Sequence, residues 1–154
     1  MNLYLVRHAQ AADDADDPKR HLTRKGRKDA RALGKTLRKH KVRVKQIWHS
    51  GLARALETAE EIAPYLRGRP KLTKHVGLAP TDSAATMAKT LATVKDDLMI
   101  VGHEPFLGKL AAQLVLSRHS PSFLHLRKPS IVCLERDEDD DGDWRLGWML
   151  PVCS

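Results

Sequence analysis

Residues 3–11 read LYLVRHAQA: an apolar run through Leu3, Leu5 and Val6, then Arg7 and His8. The run has the composition of a strand covered on both faces, and it stops on two polar side chains that need partners. The same arrangement recurs downstream. VKQIWHS (44–50) reads as a second strand and leads through HSGLAR to Arg54, while DLMIVGH (97–103) is a nearly unbroken apolar strand that ends in His103. Between the strands the apolar spacing becomes helical. Thr23 is a plausible N-cap for a helix with Ala30, Leu33 and Leu37 in line, and Arg24, Lys28, Arg31, Lys35 and Arg38 on its other side. A second helix is expected in GLARALETAEEIAPYL, with Leu52, Leu56, Ala59 and Ala63 as its stripe and Pro64 and Gly68 at its end.

KLTKHV (71–76) is expected as a short strand. SAATMAKTLATV forms a helix through Ala84, Met87, Leu91 and Val94, and EPFLGKLAAQLVLS another, with Pro105 in its first turn and Leu107, Leu110 and Leu114 as its stripe. Two late strands, SIVCLER and DWRLGWMLPV, are joined by an acidic loop that turns at Gly142. Strands alternating with helices and closed by a hairpin define an α/β fold, a three-layer α/β/α sandwich around a mostly parallel sheet, with residues 1–154 as one domain.

The bulk properties agree with this. The chain has 154 residues, 42% hydrophobic and 30% charged, and a formal net charge of +8. No apolar run is long enough to cross a bilayer. The opening MNLYLVRHAQ has no charged leader or cleavage site, so the first strand is expected to start the chain and the protein to act in the cytoplasm. Cys133 and Cys153 lie outside any metal-type spacing and are expected as buried free thiols, with no disulfide and no metal site. Charge is unevenly spread. Residues 19–45 hold 13 of the 27 Lys and Arg with Asp29 as the only acid, whereas ERDEDDDGD (135–143) is almost wholly acidic. The basic block has no interleaved aromatics for stacking on bases, so it is read as a solvated helix face and no nucleic-acid partner is expected.

In parallel α/β sheets the functional crevice lies at the carboxyl ends of the strands. If the three polar-ended strands are neighbours, Arg7, His8, Arg54 and His103 meet there. Two guanidiniums can hold a phosphoryl group through forked, charge-assisted hydrogen bonds. A neutral imidazole can attack phosphorus, and a second can support the charge on its oxygens. The chemistry requires no cofactor. The other histidines, His21, His40, His49, His75, His119 and His125, have no metal-type spacing and are read as surface or structural.

LVRHAQA, LTRKGRKDA, SGLARALETAE and VGHEP, in this order, resemble the histidine phosphatase superfamily over roughly residues 2–135. The likeness is greatest to its small SixA-like phosphohistidine phosphatase branch. It implies a phosphoglycerate mutase-like fold, His8 as the phosphate-accepting nucleophile, Arg7 and Arg54 on the phosphoryl group, and His103 as the fourth side of the pocket. Ser50 opens the second motif and is implied to lie near the phosphate, and Thr23 and Gly26 match a helix motif that is architectural. Two departures bear on the substrate. Many members carry a carboxylic acid after the third strand to protonate an alcohol leaving group. Here that segment reads VGLAPTDS, with Asp82 alone, and Glu104 follows His103. Asp82 is read as a cap or loop residue and Glu104 as favouring a helix start. No large insertion is present to form a lid. The expected activity is removal of phosphate from phosphohistidine in a partner protein. The alternatives are a phosphatase or mutase for small phosphate esters, with Asp82 or Glu104 as acid, and a non-catalytic phosphate-recognition module.

Overall fold

A computed structural model describes residues 1–16, 19–120, 123–138 and 142–151. The strands are β1 (Asn2–Arg7), β2 (Gln46–His49), β3 (Lys71–Lys74), β4 (Leu98–Gly102), β5 (Ser130–Arg136) and β6 (Trp144–Pro151). The helices are α1 (Arg24–Lys39), α2 (Ala53–Ile62), α3 (Ala84–Leu91) and α4 (Phe106–Leu116), with a 3-10 turn over Ala63–Tyr65. One six-stranded sheet runs β3-β2-β4-β1-β5-β6. Its first four strands pair in parallel, and β5 and β6 join as an antiparallel hairpin.

Central position explains the composition of β1 and β4. Leu3, Leu5, Val6, Met99, Ile100 and Val101 are fully buried, because helices cover both faces of the strands that carry them. On one face Leu5 and Ile100 meet Met87, Leu91, Phe106 and Leu110 from α3 and α4. On the other, Val6 and Val101 meet Leu33, Leu37, Ala55 and Ile62 from α1 and α2. Cys133 is buried in this second layer as a free thiol, while Cys153 and part of the acidic loop lie outside the described residues.

Thr23 caps α1 as expected, its hydroxyl oxygen accepting the Gly26 amide at 3.0 Å. The basic outer face of this helix is partly neutralised by Lys25 on Asp29, Arg27 on Glu57 and Glu61, and Arg31 on Glu61. Helix α2 departs from expectation by one residue around its axis. Its buried positions are Arg54, Ala55, Thr58, Ala59 and Ile62, while Leu52, Leu56 and Ala63 are only half-buried. The helix turns its polar Arg54 and Thr58 inward toward the end of β1, and that rotation moves Leu56 toward the rim. Pro105 stands one residue earlier than expected, at the N-cap of α4. Among the described residues no helix is long and apolar enough to cross a membrane.

Candidate active site

Parallel register brings the polar strand ends together. Arg7 pairs with Gly102 across β1 and β4, and His49 pairs with Val101 across β2 and β4. His8, Ser50 and His103 therefore emerge side by side at the carboxyl edge of the sheet. Helix α2 begins at this edge and supplies Arg54 from its first turn. The starts of α1 and α4 lie at the same edge, so their dipoles favour an anion there.

His8 and His103 are 4% and 1% exposed, and their ring centroids are 5.1 Å apart. His8 Nδ1 lies 2.7 Å from the carbonyl of Ala9. A carbonyl only accepts, so Nδ1 carries the proton and donates it, and the lone pair is left on Nε2. Burial lowers the His8 pKa from its ordinary 6.5 to about 3, opposed by the Ala9 bond and reinforced by the charges of His103, Arg54 and Lys128. At neutral pH the ring is uncharged, as a nucleophile requires. Burial likewise pulls the Arg7 pKa down, and the charge of Glu104 works against that shift.

The surrounding bonds set orientation. Arg7 donates from Nη1 to the Leu126 carbonyl at 2.8 Å. Thr58, fully buried on α2, accepts the Ala9 amide at 3.0 Å and donates to the Arg54 carbonyl at 2.7 Å. That hydroxyl ties the backbone beside His8 to the helix turn that carries Arg54. Ser50 Oγ is 2.6 Å from His103 Nε2 and takes the Leu52 amide at 3.3 Å, so the serine holds the second imidazole in place. Gly26 is packed on the loop after His8, where a Cβ would stand 2.1 Å from the Gln10 carbonyl oxygen.

The five residues singled out in the sequence, Arg7, His8, Ser50, Arg54 and His103, thus gather at one edge. Asp82 does not act as a helix cap, which is Ser83; its carboxylate accepts the Ala79 amide at 2.8 Å and closes a loop. Glu104 is buried against the start of α4, as its position suggested. Four other residues escaped the sequence reading. Lys128 has its pKa lowered, by burial first and then by the charges of Arg7, Arg20 and Arg54. Arg20 reaches the Ala12 carbonyl and Asp13. Glu57 gathers His21, the Leu22 amide and Arg27, and these hold its pKa low against the upward push of burial. His125 faces both Arg7 and Glu104. The helical spacing Arg54, Glu57, Thr58 was the one available signal, since it puts all three on one face of α2, and Thr58 and Glu57 from that face bond the loop after His8.

Among the described residues no group of three or more His, Cys, Asp or Glu is arranged to hold a metal ion. A cavity of about 330 Å³ at the opposite, amino-terminal edge of the sheet, lined in part by Met1, Val44, Lys95 and Asp97, contains none of these site residues.

A neutral, buried imidazole lies at the carboxyl edge of an α/β sheet, with Arg7 on the last residue of β1 and Arg54 in the first turn of α2 at the same edge, an arrangement suited to binding a phosphoryl group. The chain belongs to the histidine phosphatase superfamily: the sequence profile of its branch 1 matches residues 3–97. Phosphohistidine phosphatase SixA of Escherichia coli strain K12 is 28% identical over 163 residues, covering 100% of this chain and 96% of that protein. A solved structure of the protein histidine phosphatase SixA complexed with tungstate has a TM-score of 0.85 at 26% identity, with 99% and 98% of the two chains covered. A mycobacterial glucosyl-3-phosphoglycerate phosphatase bound to inorganic phosphate shares the fold at a TM-score of 0.75 and 17% identity, with 99% and 97% covered. The chain is a phosphatase of this superfamily.

Proposed function

We propose that this phosphatase acts on phosphohistidine in a partner protein, through a covalent phosphohistidine at His8. The observation that carries the reading is the Nδ1 bond from His8 to the Ala9 carbonyl, which leaves Nε2 of a neutral ring as the attacking atom. In the first step the Nε2 lone pair forms a bond to phosphorus. The bond from phosphorus to the substrate's imidazole nitrogen breaks, its electron pair stays on that nitrogen, and a solvent proton neutralises it. Arg7 and Arg54 hold the phosphoryl oxygens, and His103, steadied by Ser50, supports their charge. Water then attacks phosphorus, the bond to His8 breaks, and orthophosphate leaves.

The choice of substrate follows from the carboxylates. An alkoxide leaving group needs a positioned acid, whereas an imidazole is a far better leaving group once solvent protonates it. Asp82 is occupied in its own loop, and both Glu104 oxygens are engaged by Gly108, Leu126 and His125. Neither is placed to serve an ester. The likeness to SixA supports the same substrate class.

The test is a direct comparison of turnover on a phosphohistidine-bearing carrier domain and on a panel of sugar phosphates. The carrier is expected to lose its phosphate and His8→Ala to lose that activity. High turnover of the sugar phosphates, abolished by Asp82→Asn or Glu104→Gln while the carrier is untouched, would replace this reading with ester hydrolysis.

A further inference from the structure

We infer that Glu104 is a positioning residue for Arg7, acting through His125 and Leu126. The inference rests on the reading that Arg7 holds the phosphoryl group. The Glu104 side chain is only 3% exposed, and a buried carboxylate is tolerated where its oxygens are saturated by donors. One oxygen accepts the Gly108 amide at 2.7 Å, which caps the first turn of α4. A cap needs no more than that. The other oxygen is spent elsewhere: it accepts the Leu126 amide at 3.2 Å and lies 3.4 Å from His125 Nδ1.

Each of those two contacts continues to the same atom of Arg7. The Leu126 carbonyl accepts from Arg7 Nη1 at 2.8 Å, and His125 Nε2 stands 3.5 Å from that Nη1. Arginine can only donate, so His125 Nε2 accepts and its proton sits on Nδ1, facing Glu104. A single tautomer satisfies the whole relay from carboxylate to imidazole to guanidinium. The segment that carries it is pressed onto α4, because a Cβ on Gly108 would stand 2.2 Å from the Leu124 carbonyl oxygen. The negative charge also helps Arg7 stay charged in a buried setting.

Glu104→Gln breaks this arrangement, since an amide nitrogen must then face a backbone N–H. The test measures vanadate dissociation constants, kcat and KM for the wild type, Arg7→Ala, Glu104→Gln, His125→Ala and the double variants with Arg7→Ala. Glu104→Gln is expected to weaken vanadate about tenfold and His125→Ala about threefold, and neither adds a further loss once Arg7 is gone. Additive losses in the double variants, or unchanged vanadate affinity in both single variants, would overturn the inference. His125 is exposed, so its cycle stands even if Glu104→Gln fails to fold. Should Arg7→Ala itself leave vanadate affinity unchanged, the reading of the phosphoryl site fails, a result distinct from failure of the Glu104 relay.

Discussion

Acid should destabilise this fold through His8, by an amount that can be worked out. Burial first, and then neighbouring positive charge, lowers its pKa to about 3 against the pull of the Ala9 carbonyl, while the unfolded chain returns to the ordinary 6.5. Between those values the unfolded state binds a proton that the folded state refuses. The contribution is complete above the unfolded value, declines as pH falls below it, and is lost by the native value. From about pH 7 to about pH 4.5 one such group removes about 2.5 kcal/mol of stability, at about 1.36 kcal/mol per pH unit below the unfolded pKa. At the lower pH the native ring is still neutral, so the figure is governed by the unfolded chain. His8→Asn can keep an N–H on the Ala9 carbonyl and does not titrate. Urea unfolding of both proteins at the two pH values isolates the term, because groups common to both cancel. The stability of the wild type relative to the variant should fall by about 2.5 kcal/mol on acidification. A difference that stays constant, or moves the other way, would refute a neutral buried His8.

Three substitutions probe the rest of the site. Arg54→Lys keeps the charge but loses the planar fork, and the inhibition constant for inorganic phosphate should rise about tenfold with the melting temperature little changed. Thr58→Val leaves the Ala9 amide without its acceptor and should cost about 1–3 kcal/mol in urea unfolding. The same change should lower kcat, because that amide lies next to His8. Gly26→Ala sets a Cβ against the Gln10 carbonyl and should cost about 1–3 kcal/mol, with lower kcat as the loop after His8 is displaced.

Most of the architecture was legible because its determinants are local. The apolar runs of β1 and β4, the Thr23 cap and the helical stripe of α1 each depend on a few adjacent residues, and alternating strands and helices leave few topologies. The placement of the five candidate site residues was legible for a related reason: four of them stand on the last residue of a strand or one step beyond its end, and Arg54 stands at a helix start. What escaped depends on distant segments meeting. The side chains of Lys128, Arg20 and Glu57 look like ordinary surface charge in the sequence, because the partners that matter, such as His21, Leu22 and Arg27 around Glu57, come from other segments of the chain. His125 reads as a surface residue and is indeed exposed, but it faces Arg7, 118 residues away in the chain. Helix α2 shows the limit of periodicity itself. Hydrophobicity points to Leu52 and Leu56, while the inward face also holds Arg54 and Thr58, and the Thr58 hydroxyl bonds the Ala9 amide just beyond β1.

The central claim is that phosphate passes through His8, and trapping the intermediate tests it most directly. Rapid quenching in alkali after mixing with a phosphohistidine-bearing carrier domain, followed by peptide mapping, should place an alkali-stable, acid-labile phosphate on His8 in the wild type and none in His8→Asn. Label on another residue, or undiminished phosphate release by His8→Asn, would contradict it.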